Sequence, residues 1–227
     1  TCRKKFGLNS NSTILTASDA GWINGHTYAL FGPLSTKSST VIMEYPSLLM
    51  DETFAQKIIS DCKVSVLYLP VTLIRMMKSL FVNKNKTKYL KTLGSMGEPL
   101  AKDVGKWFAN YFNLKNKAII NTYFQTETGG ILSSPSYKDT KLKFPHGSVG
   151  DTTSEYLNII IDSKNNNEYK VVNHWPGMMK KIINNKKTFE NYFDANNYFK
   201  LFDTGKKINN AYYVFGRIDD VLNIRGH

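Results

Sequence analysis

Residues 123–130 read Tyr123-Phe124-Gln125-Thr126-Glu127-Thr128-Gly129-Gly130. Hydroxyls, an amide, a carboxylate and two adjacent glycines stand together there, the inventory needed to hold a phosphate, orient a carboxylate substrate and ligate Mg²⁺. Alone, the octapeptide is equally an ordinary polar loop between a strand and a helix. A second stretch, Gly94-Ser95-Met96-Gly97-Glu98-Pro99, combines glycines that let backbone approach a ligand with a proline suited to begin a helix. A third pairs Phe202-Asp203-Thr204-Gly205 with Gly216-Arg217-Ile218-Asp219-Asp220-Val221-Leu222-Asn223. Its carboxylate can grip ribose hydroxyls and its arginine can neutralise phosphate, although a β-turn with a surface ion pair has the same composition.

The elements that must position these loops follow from the apolar pattern. Short apolar runs at 12–15, 40–43, 64–69, 90–96 and 118–123 have the length and β-branching of buried strands. Between them, helical spacing predicts helices over 25–34, 51–61, 71–81 and 100–111. This alternation implies an α/β fold built on a doubly wound, mostly parallel sheet, whose ligands bind beyond the carboxyl ends of the strands. After residue 130 the helical period vanishes, and strands over 156–161, 169–172, 181–183, 198–202 and 211–215 predict a small β-rich subdomain. The expected division is 1–135, 136–216 and a hinge segment 217–227.

Taken in order, with Ser18-Asp19-Ala20-Gly21-Trp22-Ile23-Asn24-Gly25-His26 upstream and Trp175-Pro176-Gly177 downstream, these motifs resemble the adenylate-forming superfamily, and within it the acetyl-CoA synthetases. The likeness runs through nearly the whole chain. It implies an incomplete N-terminal domain of an adenylate-forming ligase and a two-step reaction. A carboxylate, acetate or another short-chain acid, attacks the α-phosphate of Mg-ATP, and the coenzyme A thiol then displaces AMP. It further implies that Gly97, Glu98, Pro99, Asn121, Thr122, Tyr123, Phe124 and Gln125 surround the adenine and ribose, that Thr126 meets the α-phosphate and that Glu127 binds magnesium. Asp203 and Arg217 would hold the ribose and phosphate, and Asp219 would mark the hinge. The partners it implies are small molecules: ATP, coenzyme A and the acid.

The chain departs from the family's pattern at definite places. Tyr123-Phe124 stands where paired tryptophans are usual, Ile23-Asn24 where the family has Val-Thr, and Met96 where it has valine, so the acyl pocket is rewritten at Ile23, Asn24, Met96 and Phe124. Asn121 replaces an aspartate, and Arg225 replaces a small residue near the coenzyme A path. The family's phosphate loop is expected upstream of Thr1 and its catalytic lysine beyond His227, so these 227 residues unaided are not expected to catalyse adenylation. A ligase for propionate or medium-chain acids, or a nucleotide-binding module without chemistry, are the alternatives.

Composition narrows the remaining classes. With 41% hydrophobic and 13% aromatic residues, the chain can bury a sizeable core. Thirty Lys+Arg against 18 Asp+Glu give +12, but the excess lies in Lys/Asn-rich runs at 84–91, 164–170 and 184–187, the pattern of solvated loops rather than a nucleic-acid face. Cys2 and Cys62 form no metal-ligand spacing. His26 and His174 lack a Ser or Cys at hydrolase spacing, and His146 carries no signal. No run approaches the ~20 apolar residues that span a bilayer. An intracellular setting, cytoplasmic or nuclear, is the default for such a sequence.

Overall fold

The computed structural model describes residues 1–83, 87–173 and 175–218. The chain opens with a helical turn, Cys2–Phe6, then β1 (Thr13–Thr16) and a wide helical segment, Gly25–Phe31, continuous with α1 (Gly32–Ser35). There follow β2 (Ser39–Val41), a tight turn at Pro46–Met50, α2 (Glu52–Asp61), β3 (Val66–Pro70), α3 (Val71–Leu80), β4 (Thr92–Met96), α4 (Lys102–Tyr111) and β5 (Ile120–Asn121). Beyond lie β6 (Ser133–Ser134), β7 (Asp151–Thr152), β8 (Ile159–Asp162), β9 (Glu168–Val171), α5 (Lys186–Glu190), β10 (Phe199–Ile208) and β11 (Ala211–Arg217).

The first five strands make one sheet of order β2-β1-β3-β4-β5 in which every pairing is parallel. Period-two alternation, with apolar residues on both faces, explains its two-sided burial. Leu15, Leu67, Leu69 and Leu93 pack with Ala55 and Ile59 of α2, Ile74 and Met77 of α3, and Val104 and Phe108 of α4. Ile14, Val66, Tyr68, Met96 and Ile120 face the opposite side, against Cys2, Phe6 and Tyr28. The sheet is therefore covered on both faces, as the alternation of runs implied. Leu67 and Phe108 are wholly buried, each contributing about 1.5–3 kcal/mol of transfer free energy.

Helix starts are set locally. The Asp51 carboxylate accepts from the Phe54 amide at 2.8 Å, satisfying a donor that the first turn of α2 would otherwise leave orphaned. Pro70 ends β3, and α3 begins at the next residue, so no loop separates them.

The later strands form a four-stranded antiparallel sheet, β11-β10-β9-β8, with β6 and β7 paired separately. Tyr169, Phe199, Leu201 and Tyr212 build its core with Leu132 and Tyr123. Lys5 ties the opening turn to this region by donating to the Ser134 carbonyl at 2.6 Å. Lys170, almost wholly buried, bridges Asp162 and Asp194 at 2.8 Å each.

Two strand expectations fail. Residues 181–183 make no strand: Ile183 is exposed, the chain turns at Asn184 with φ 57°, and Asn185 caps α5 by accepting from Thr188. The run 118–123 contracts to β5, because Tyr123 leaves the sheet and donates its amide to Ser133 instead, at 2.9 Å. Asp219, Arg225 and His174 lie outside the described residues. Among the described residues no helix is long and apolar enough to cross a membrane.

Candidate functional site

Strand order reverses between β1 and β3, because β1 connects first to β2 on one side and the chain then crosses to β3 on the other. In open α/β sheets this switch point leaves a crevice beyond the strand carboxyl ends. A cavity of about 720 Å³ occupies that position, within the roughly 300–1,000 Å³ common for small-molecule sites. Each loop that leaves a strand end beside the switch point contributes to it: Ala17 to Asn24 after β1, Pro70 at the end of β3, Met96 to Pro99 after β4, and Thr122 to Thr126 after β5. The antiparallel sheet closes the other side with Asp203, Val214, Gly216 and Arg217, joined by Val149 from the segment before β7.

Thirteen of the seventeen residues singled out from the sequence line this one space: Ile23, Asn24, Met96, Gly97, Glu98, Pro99, Thr122, Tyr123, Phe124, Gln125, Thr126, Asp203 and Arg217. Asn121 and Glu127 do not. The Asn121 amide is buried and engaged, accepting from Ser95 Oγ at 3.0 Å and donating to the Ser148 carbonyl at 3.1 Å. Glu127 stands one residue past the lining, half-buried, with Oε1 accepting from the Tyr192 hydroxyl at 3.0 Å. Asp219 and Arg225 are outside the described residues. Val149 and Val214 escaped the sequence reading, since nothing in two valines of a β-rich stretch indicates which cavity they will face.

Local geometry shapes the 123–130 loop. Thr126–Thr128 makes a single helical turn, closed by Gln125 N–H donating to Thr128 Oγ1 at 3.0 Å. Gly129 then reverses the chain at φ 67°, a conformation that disfavours any side chain. The turn is docked on the segment around Trp175. Trp175 Nε1 donates to the Thr128 carbonyl at 3.1 Å, and the Met179 amide to the Glu127 carbonyl at 2.8 Å. Gly97 also has positive φ, 89°, so the 96–99 loop bends without a side chain at its apex.

Asp203 is buried and its Oδ2 receives two donors, the Tyr123 hydroxyl at 2.7 Å and Gln125 Nε2 at 2.5 Å. Phe202 before it has φ 54°, at a register irregularity between β10 and β9. Strand irregularities of this kind re-aim side chains beside functional sites. Arg217 is the cross-strand partner of Asp203, and its guanidinium lies over the Phe202 ring at 5.7 Å. Burial, and then the Asp203 carboxylate, hold the Tyr123 phenol well above its ordinary range, so it is a hydrogen-bond donor throughout the neutral range. Glu98 Oε2 meets Arg75 at 2.7 Å, with both side chains well exposed, which makes it a weak pair that a ligand can displace.

At the other end, Asn24 Nδ2 contacts Met96 Sδ, and Phe124 packs edge-on to Tyr28 with centroids 6.0 Å apart. Asn24, Met96 and Phe124 all line this end of the cavity, with Ile23.

Residues 1–178 match the sequence model of a family described as AMP-binding enzyme. The chain is also similar, across nearly all of its length, to proteins named acetyl-coenzyme A synthetase. It is 32% identical over 238 residues to that of Bartonella bacilliformis and 33% over 240 residues to that of Bartonella quintana, covering 98% of this chain and 36% of each relative. Acetyl-coenzyme A synthetase 2 of Kluyveromyces lactis is 32% identical over 245 residues, covering 100% of this chain and 35% of the relative. The chain thus spans little more than a third of the length of these curated relatives.

Proposed function

The chain belongs to the AMP-binding enzyme family, and from that premise we propose that it supplies the adenylation site of an acyl-CoA synthetase acting on acetate or another short-chain acid. The observation that carries this reading is the gathering of motif loops spread from Ala17 to Arg217 around one nucleotide-sized cavity. In the first step a carboxylate oxygen attacks the α-phosphorus of ATP, the bond to the β-phosphate breaks, and pyrophosphate leaves. In the second, the coenzyme A thiol attacks the acyl carbonyl and AMP departs.

Most of what the protein contributes to such chemistry is position and charge. Gly97, Glu98 and Pro99 flank the base from one side and residues 122–125 from the other, with Asn121 behind them. Asp203 accepts from the ribose hydroxyls, Arg217 donates to the ribose or to phosphate, and the Thr126 hydroxyl donates to the α-phosphate. Ile23, Asn24, Met96 and Phe124 bound the acyl group. Magnesium suits this donor set: Glu127 and Thr126 offer hard oxygens, and the ion normally completes its shell with substrate phosphates and water. When bound, it neutralises phosphate charge that builds up as pyrophosphate leaves. The same reading takes 1–135 as the adenylate-forming subdomain, 136–216 as the β-rich subdomain, and 217–227 as the hinge, with Asp219 at the pivot and Arg225 toward coenzyme A.

Acid-dependent exchange of labelled pyrophosphate into ATP, measured on the full-length protein, tests the proposal. Exchange driven by acetate or propionate is expected. Its absence with short, medium-chain and aryl acids alike, in protein shown to be folded, removes the ligase reading.

A further inference from the structure

The bond between Tyr123 and Asp203 spans 80 residues of sequence and ties the loop after β5 to strand β10 at the cavity wall. An aspartate side chain has two free torsions, and at a cavity wall it must be held if it is to present its oxygens in one direction. Here Oδ2 is held twice, by the phenol from the β5 side and by Gln125 Nε2, which also donates to the Leu201 carbonyl at 2.5 Å. The Tyr123 ring is itself fixed, being 8% exposed and packed with Leu132, Val149 and Tyr169, the last at 5.7 Å between centroids. A phenylalanine at position 123 would keep the ring but carry no hydroxyl with which to make this contact.

We propose that the Tyr123 hydroxyl is a positioning group that fixes the Asp203 carboxylate, and through it makes the site discriminate ribonucleotides from 2′-deoxyribonucleotides. The inference rests on the nucleotide reading above and deepens it. A carboxylate held in one orientation rewards a vicinal diol with paired hydrogen bonds, whereas a deoxyribose offers one hydroxyl and leaves the fixed acceptor unmatched. Discrimination built on an unmatched buried polar group is strong. Once the phenol is removed Oδ2 loses one of its two donors and keeps Gln125, the carboxylate is held less tightly, and the penalty for the missing hydroxyl shrinks.

The test measures binding of ATP and of 2′-deoxy-ATP to the full-length protein, the Tyr123→Phe and Tyr123→Trp variants, and Asp203→Asn, with thermal melts of each. The wild type should favour ATP by tenfold or more. Both Tyr123 variants should lose most of that ratio, by about tenfold, as expected for a hydrogen bond to a charged group. Because the readout is a ratio of two ligands on one protein, partial loss of folded material leaves it unchanged, and Tyr123→Trp is a second variant without the hydroxyl should the phenylalanine variant fold poorly. A Tyr123 variant that keeps the wild-type ratio while Asp203→Asn loses it overturns the positioning role. Equal binding of both nucleotides by the wild type overturns the ribose assignment while leaving the nucleotide site standing. Failure of the wild type to bind either nucleotide removes the nucleotide reading and this inference with it.

Discussion

Three alanine substitutions separate backbone strain from steric contact in the loops of the cavity. At Gly129, with φ 67°, a built Cβ would lie 2.1 Å from the Gly177 carbonyl oxygen and 3.0 Å from its carbon. Left-handed backbone costs a non-glycine residue about 1–2 kcal/mol, and the obstruction is main chain, which cannot rotate away. The 175–179 segment must shift, which endangers the Trp175-to-Thr128 and Met179-to-Glu127 hydrogen bonds, about 1 kcal/mol each. The total is about 3–4 kcal/mol, a fall of roughly 10 °C in melting temperature for a chain of this size. At Gly97, φ is 89° but nothing lies within 4 Å of a Cβ, so only the strain of about 1–2 kcal/mol remains. Gly130→Ala meets Tyr28 Oη at 3.6 Å, ordinary contact without positive φ, and should stay within about 0.5 kcal/mol. Circular-dichroism melts of the three variants check the order Gly129, Gly97, Gly130. Nucleotide titration adds a second readout, since the Glu127 backbone moves only in the first. A Gly129→Ala variant that melts with the wild type, or Gly130→Ala matching it in damage, refutes the assignment of the 129–177 contact.

Glu127→Gln removes a charge at constant volume and keeps an acceptor for Tyr192, so pyrophosphate exchange should fall on the order of 100-fold while the melt stays near wild type; equal loss of stability would refute a role in metal binding. Phe124→Trp fills space at the apolar end of the cavity and should lower kcat/KM for propionate relative to acetate by roughly tenfold, read from an acid panel; an unchanged ratio places the acyl group elsewhere. Lys170 is raised by its hydrogen bonds to Asp162 and Asp194, and both aspartates are held below their usual range by Lys170. The aspartate contribution is therefore present above about pH 4 and lost as pH falls through their folded values, whereas the lysine contribution is present below about pH 10 and lost only in stronger alkali. Lys170→Met should destabilise most near neutrality, with its denaturation midpoint converging on wild type in acid; parallel curves would contradict this.

The frame of the molecule was legible where one local rule sufficed. Asp51 ahead of a helical apolar period announces α2, and the alternation of runs with helices announces a parallel sheet because each crossover needs about ten residues. Legibility failed where a partner elsewhere in the chain decided the outcome. The apolar residues 118–123 have the composition of a strand, yet Tyr123 bonds to Ser133, and no local feature predicts that exit. Residues 181–183 carry β-branched side chains but find no neighbouring strand, and a strand without a partner leaves its backbone groups unpaired. The site was legible for a related reason: its loops are rich in glycine, acids and hydroxyls, compositions that a packed core does not tolerate unless something else holds them. Its apolar walls, Val149 and Val214, leave no such trace.

The pairs at the cavity gain meaning from contact. Asn24 and Met96 lie 72 residues apart and touch, both buried. A buried amide carries a desolvation penalty that a thioether offsets only weakly, and a longer side chain at position 96 is what brings that sulfur within reach. Tyr123 and Asp203 are a second such pair: the phenol donates a hydrogen bond to the carboxylate at 2.7 Å. Residues that touch do not contribute additively, so substitutions within the pairs 24 with 96 and 123 with 203 are expected to couple, and exchanging one member alone changes the surroundings of the other.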